Sequence, residues 1–96
     1  MFNVKKEKDR DLLRLVLSGF LDIGNVSAIK DELSVLGDLP QKLEVKIEQV
    51  ENIDLSFLQL MVAFKKEHPD CQITFNWDLD QEFFRIIQGA GFVDVL

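Results

Sequence analysis

The chain has 96 residues, enough for one domain that should bury roughly 60 to 70% of its unfolded surface without disulfides or metals. Its net charge of −6 argues against neutralising nucleic-acid phosphates, so we expect no nucleic-acid partner. The single cysteine and the absence of an N-terminal apolar segment favour a cytoplasmic setting, and no apolar stretch approaches the roughly 20 residues that span a bilayer. We therefore predict one domain over residues 1–96 that does not insert into a membrane.

Two strands are predicted first. Phe2 and Val4 alternate with polar residues, and the polar stretch 8–11 provides a turn before the almost continuously aliphatic Leu12–Ser18. A strand with so few polar residues is typical of the centre of a sheet. The sequence therefore predicts a hairpin whose first strand lies at the edge of the sheet.

An amphipathic helix and a half-exposed strand follow. Asn25 is a candidate N-cap for a helix that ends at Gly37 and whose apolar residues recur at helical spacing: Val26, Ile29, Leu33 and Leu36. Residues 42–48 then alternate between charged and apolar side chains. Because one face of this strand is charged, we expect helices to pack mainly on the other side of the sheet.

The second predicted helix runs from about Leu55 to Glu67 and follows Asp54, a residue type suited to cap a helix N-terminus. Helical spacing places one polar stripe outward, comprising Ser56, Gln59, Ala63 and Glu67, and puts an apolar set on the opposite side, including Leu55, Leu58 and Met61. Three apolar residues fall between these faces and fit either the margin of the core or a partner-binding patch: Phe57, Leu60 and Phe64.

A further strand is predicted over Cys71–Trp77, and a last helix begins near Asp78 or Asp80 and ends at Gly89 to Gly91, before the tail Phe92–Leu96. The element order is therefore β-β-α-β-α-β-α. Short strand-helix connections imply parallel neighbours joined by right-handed crossovers. We predict an α/β domain with a mixed sheet of four to five strands and three to four helices mainly on one face.

The sequence offers little for catalysis or metal binding. His68 and Cys71 are the only residues of their types and are separated by a turn, so we expect no metal site and no cofactor. A nucleophile needs a base oriented toward it, and His68 lies about three helical turns from Ser56. These observations predict a protein that is not an enzyme.

Ser56 has two interpretations. A serine near a helix N-terminus often bonds to the backbone, which would explain its presence by structure alone. Alternatively, Ser56 is a phosphoacceptor, whose phosphate would add about −1.5 to −2 charges at a position where the helix dipole tolerates them. Phosphorylation there should alter binding more than folding.

Three segments, in their order and spacing, resemble a STAS domain, the family of bacterial anti-sigma factor antagonists and of related domains in anion transporters and lipid-transport complexes. They are Leu15–Asp22, Val50–Leu58 and Gly89–Phe92. The resemblance spans nearly the whole chain and implies a mixed sheet with helices. It also places Ser56 on the position that an anti-sigma kinase phosphorylates in the antagonist branch. The chain differs from the family motif at two positions, with Leu55 in place of a Ser or Thr and Phe57 in place of Gly.

The resemblance implies a non-enzymatic bacterial signalling module that binds a protein partner, an anti-sigma factor kinase or another signalling or transport protein, as a monomer or weak dimer. We predict that docking uses the loop after the second strand and the start of the second helix, through Asp22, Asp54, Ser56, Phe57, Gln59, Leu60 and Ala63. Two alternatives follow from the same resemblance. One is a subunit of an inner-membrane phospholipid-transport ATPase, and the other is a chemotaxis-associated adaptor.

Overall fold

The sheet has four strands that lie side by side in chain order. The computed structural model describes residues 1–9, 11–89 and 91. The first pair of strands is antiparallel and the later pairs are parallel. The strands are β1 (Phe2–Asp9), β2 (Leu12–Leu21), β3 (Lys42–Ile53) and β4 (Gln72–Trp77), and the helices are α1 (Val26–Ser34), α2 (Leu55–Glu67) and α3 (Gln81–Gly89). This confirms the predicted element order and the position of β1 at the edge.

One core cluster contains the buried side chains of both the strands and the helices. On β3, Leu43, Val45 and Ile47 are buried, while the charged residues between them are exposed or half-buried. The opposite face of the sheet carries ion pairs, such as the one that joins Arg14 Nη2 to Glu44 Oε2 at 3.2 Å. The helices therefore cover one face, as the alternation in β3 predicted.

Two strands are longer than the sequence pattern indicated. β1 continues to Asp9, which lies opposite Leu12, because it pairs along most of β2. β3 continues to Ile53 through a bulge, where Gln49 has a φ of +48° and the register with β2 shifts. Since β4 pairs with β3 only as far as Ile47, the last residues of β2 and β3 extend beyond β4. That extension carries the candidate functional site.

Gly19 is required where the start of β1 approaches the end of β2. It has a φ of +90°, and a Cβ atom built on it would lie 2.5 Å from the backbone oxygen of Met1. The next backbone N–H, that of Phe20, donates to the same oxygen at 3.0 Å. A larger residue would therefore have to displace the β1 strand.

The helix caps lie at predicted positions, but one of them makes no cap hydrogen bond. Asp54 caps α2 by accepting the Phe57 N–H at 3.3 Å, and Asp80 caps α3 by accepting the Phe83 N–H at 3.0 Å. Asn25 lies at the predicted N-cap position of α1, but its side chain accepts no cap hydrogen bond there. Its amide is instead used to brace the preceding loop. Within the closing motif 89–92, residues 90 and 92 and the rest of the tail lie outside the described residues.

Candidate functional site

The Asp54 side chain joins two segments that are far apart in sequence. Its Oδ2 atom accepts the backbone N–H of Ile23 at 2.8 Å, in the loop between β2 and α1. Its Oδ1 atom accepts the Ser56 hydroxyl at 2.5 Å and the Phe57 N–H at 3.3 Å, at the start of α2. The backbone N–H of Asp54 also donates to the Leu21 oxygen at 3.3 Å. We call the surface formed by residues 20–25 and 52–56 the Asp54 junction.

Asp22 provides a second link across the Asp54 junction. Its Oδ2 atom accepts the Asn52 amide at 3.0 Å, which ties the loop to the end of β3. Its Oδ1 atom accepts the Gly24 N–H at 3.2 Å and the Asn25 amide at 3.3 Å within the loop itself. The Asn25 amide also donates to the Phe20 oxygen at 2.9 Å. The loop is therefore braced internally and from β3 as well as by Asp54.

The Asp54 junction is negatively charged. Residues 20–25 and 52–56 contain Asp22 and Asp54 but no Lys, Arg or His, and Glu51 directly precedes the second segment. Burial by itself raises the pKa of Asp54, but the hydrogen bonds from Ser56, Ile23 and Phe57 outweigh it and lower that pKa below its ordinary value. Asp54 is therefore ionised at neutral pH, and its charge is held by fixed donors.

Exposed apolar side chains accompany this charge. Ile23 is 71% exposed, Leu55 is 49% exposed and Phe20 is 41% exposed. Each belongs to the Asp54 junction, since Ile23 donates to Asp54, Leu55 follows it, and Phe20 pairs with Asn52 in the sheet. Single exposed apolar residues are normal on protein surfaces, but a group beside fixed carboxylates is typical of an interaction surface.

Ser56 is half-buried rather than fully outward. Its hydroxyl donates to the Asp54 side chain, not to the backbone as the first interpretation of Ser56 had it, and it is part of the helix start in the structure. His68 lies at the other end of α2, about 18 Å along the helix axis from Ser56. No base other than the Asp54 carboxylate is therefore positioned beside this hydroxyl among the described contacts.

Phe57 was predicted to contribute to docking and Leu55 to face the core, and the structure shows the opposite burial for both residues. Phe57 is 0% exposed and belongs to the core, so its ring cannot contribute to a docking surface. Leu55, which helical spacing placed on the buried side, is instead exposed. Because α2 is apolar on almost every side near its start, spacing alone could not fix its orientation.

The remaining predicted residues lie further along α2. Gln59 is exposed. Leu60 and Ala63 line a cleft of about 130 Å³ between α1 and α2, together with residues that include Lys30 and Glu67. The structure therefore brings Asp22, Asp54 and Ser56 together but leaves Leu60 and Ala63 outside the Asp54 junction.

The sequence patterns did not identify two residues of the junction, Asn52 and Ile23, as site residues. Asn52 could have been noticed as an amide between two acidic positions, Glu51 and Asp54, at the end of a strand. Ile23 gave no signal, since its place depends on a hydrogen bond to a residue 31 positions away. An isolated apolar residue in a loop is not distinctive by itself.

Within residues 1–9, 11–89 and 91, no group of three or more His, Cys, Asp or Glu side chains could hold a metal ion. Over the same residues, none of the helices is both long enough and apolar enough to cross a membrane.

Comparisons with known proteins found similarity in structure. No family model matches the chain, and no curated protein matches it significantly. An anti-sigma factor antagonist from Mycobacterium paratuberculosis has a TM-score of 0.86 and 16% identity, with 100% of this chain and 83% of that chain covered. The Bacillus cell fate determinant SpoIIAA, in its phosphorylated form, has a TM-score of 0.64 and 19% identity, with coverage of 94% and 85%.

A third structure shares the fold over part of its length. Mglu in its L-glutamate binding form has a TM-score of 0.66 and 14% identity, and the match covers 85% of this chain but 27% of that one. At identities this low, structural similarity concerns the fold alone. The comparisons confirm the fold class that the sequence predicted.

Proposed function

We propose, from the STAS fold that this chain shares with anti-sigma factor antagonists, that it is a regulatory module that binds a protein through the Asp54 junction. The observation that carries this proposal is that hydrogen bonds join the loop after β2 to the end of β3 and the start of α2, with exposed Ile23 and Leu55 in the joined segments. A loop held by hydrogen bonds from two directions loses less conformational entropy on binding than a free one. The junction is therefore suited to docking.

The chemistry of the junction indicates the kind of partner. Exposed apolar side chains in a segment pair that carries Asp22 and Asp54, with Glu51 next to it in the chain, would fit a protein surface with an apolar depression bordered by Lys or Arg. An anti-sigma factor of the kinase type is the partner class we propose, in line with the name of the structural neighbour from Mycobacterium paratuberculosis. The module would act in the cytoplasm and by binding rather than by catalysis.

Site-specific cross-linking in the native host tests the docking surface. A photo-crosslinking amino acid in place of Ile23 or Leu55 should capture the same protein, whereas one in place of Thr74, exposed on the open face of the sheet, should not. Mass spectrometry of the product also identifies the partner. Capture of a kinase-type anti-sigma factor supports the proposed partner class. Capture of a transport ATPase or a chemotaxis protein supports docking at the Asp54 junction but contradicts the proposed partner class.

A charge-reversal pair serves as control for the cross-link. Glu51→Lys should lower the cross-linking yield because the exposed Glu51 belongs to the acidic border, whereas Glu67→Lys at the other end of α2 should leave it unchanged. Equal capture from position 74, or none from positions 23 and 55, would contradict docking at the Asp54 junction.

A further inference from the structure

The two edges of the sheet differ in charge. β1 contains Lys5, Lys6 and Lys8 together with Glu7 and Asp9. Charged residues, lysine above all, are what natural proteins place on an exposed edge strand to prevent it from pairing with another chain. β4, at the other edge, has the sequence Gln-Ile-Thr-Phe-Asn-Trp and contains no charged residue. The β4 edge therefore lacks the protection that β1 has.

The backbone of β4 makes sheet hydrogen bonds on one side only. Gln72 donates its N–H to the Gln41 oxygen and Asp78 donates to the Ile47 oxygen, each at 2.8 Å. Alternate residues of a strand direct their backbone N–H and C=O groups to opposite sides. Three residues of β4 therefore direct theirs away from β3: Ile73, Phe75 and Trp77. Among residues 1–9, 11–89 and 91, β4 pairs with β3 alone.

A second copy of β4, running antiparallel to the first, fits all of these outward groups. With Phe75 of one copy opposite Phe75 of the other, Ile73 lies opposite Trp77, and each of these opposed pairs exchanges both of its backbone hydrogen bonds. A register shifted by two residues leaves fewer such pairs within β4. On the open face of the sheet the same register places the exposed Thr74 opposite the exposed Asn76. The strand is therefore complementary to itself, with no charge set against another.

We propose that β4 is an interaction edge for a second copy of this chain, and that two copies join their sheets through antiparallel β4 strands centred on Phe75. The net charge of −6 makes copies of the chain repel one another, so self-association is favoured where the opposed side chains carry no charge. β4 is such a place, whereas β1 would set charged residues against each other.

This pairing leaves the Asp54 junction free and does not depend on the proposed function. β4 pairs with β3 only as far as Ile47, and the junction lies beyond that point at the ends of β2 and β3. Antiparallel pairing of the two β4 strands directs the carboxyl ends of the two sheets in opposite directions. The two junctions would therefore lie at opposite ends of the joined sheet, and each could bind a partner.

Analytical ultracentrifugation of the full chain tests the pairing. One strand pair buries less than a standard interface, so we expect a reversible dimer with a dissociation constant of about 10 μM to 1 mM. Thr74→Lys/Asn76→Lys sets lysines opposite each other and should weaken association by at least about tenfold. Asn3→Lys/Ser34→Lys makes the same change in charge at exposed positions outside β4. This control lowers the net repulsion, so it should bind within about threefold of wild type or more tightly.

A disulfide between copies tests the register. Thr74 of one copy and Asn76 of the other form a pair without mutual hydrogen bonds, whose Cα atoms lie about 4.5 Å apart and within reach of a disulfide. In a Cys71→Ser background, oxidation of a mixture of Thr74→Cys and Asn76→Cys chains should produce a cross-linked dimer. Either chain alone should produce at least about fivefold less, because its two cysteines are diagonal neighbours about 7 to 8 Å apart.

Amide hydrogen exchange shows what occupies the edge. The Phe75 amide should gain protection as the protein concentration rises through the dissociation constant, while the Val45 amide, in the centre of the sheet, stays protected throughout. A chain that remains monomeric at about 1 mM overturns the proposal. If its Phe75 amide is nevertheless protected, a segment of the same chain occupies the edge. A dimer that the two β4 lysines do not weaken, or that gives no disulfide in the mixture, also overturns the proposal.

Discussion

Replacing Phe57 with alanine is expected to lower the free energy of unfolding by about 3 to 5 kcal/mol, because the ring is fully buried and its removal leaves a cavity in the core. A loss of this size is a large part of the roughly 5 to 15 kcal/mol that stabilises a typical domain. Urea denaturation followed by circular dichroism measures it, as a fall in the midpoint with little change in slope.

Leu55 provides a matched control on the same turn of α2. Leu55→Ala should change the free energy of unfolding by no more than about 0.5 kcal/mol, since the side chain is 49% exposed. If the two variants lost similar stability, the assignment of Phe57 to the core and of Leu55 to the surface would be wrong. The pair therefore tests the exchange of roles between Leu55 and Phe57 without any knowledge of the partner.

Replacing Asp54 with alanine is expected to cost about 1 to 2 kcal/mol at pH 7, as a lost helix cap does, and also to leave the Ile23 N–H without its acceptor. Asp54→Asn should cost less, because Asn is a comparably good N-cap, but it removes the negative charge. Urea denaturation of the three proteins at one pH ranks them.

The pH dependence of the Asp54→Asn effect tests the charge. The pKa of Asp54 in the folded protein lies below its ordinary value of 3.8, so the folded state favours the ionised form. Its contribution is therefore present above about pH 4 and disappears as the pH falls through the lowered folded pKa. The stability difference between wild type and Asp54→Asn should shrink between pH 7 and about pH 3. A difference that stays constant would mean that the charge is not stabilised by these donors.

The limits of α2 could be predicted because local signals agreed. Asp54 has the residue type of a cap, an apolar run follows it, and Pro69 comes after the last turn, so the predicted helix Leu55–Glu67 matches the observed one. β3 was predicted too short because its final residues are held by a bulged register with β2, not by their own alternation. A contact between distant strands leaves no local pattern.

Some residues of the candidate site were also predictable, because they belong to local sequence patterns. Asp54 and Ser56 lie within two residues of each other, and Asp22 follows a recognisable strand. The connections that make them one site, from Asp54 to Ile23 and from Asp22 to Asn52, cross 30 or 31 residues. Their existence depends on the parallel pairing of β2 with β3, which brings both carboxyl ends to one edge of the sheet.

The departure of this chain from the motif it resembles has a structural explanation at one position. Where the family motif has Gly, the Phe57 side chain is fully buried in the core. Leu55, in place of a Ser or Thr, adds exposed apolar surface to the Asp54 junction. Both differences are compatible with protein docking at this end.

The affinity of the cross-linked partner for three forms of the protein tests the central claim most directly. These forms are wild type, Ser56→Ala and the chain carrying phosphoserine at position 56. We expect the alanine variant to bind within about threefold of wild type and the phosphorylated form to bind at least about tenfold more weakly, a loss of about 1.4 kcal/mol. Equal affinities for all three forms would contradict docking at, and regulation through, the Asp54 junction.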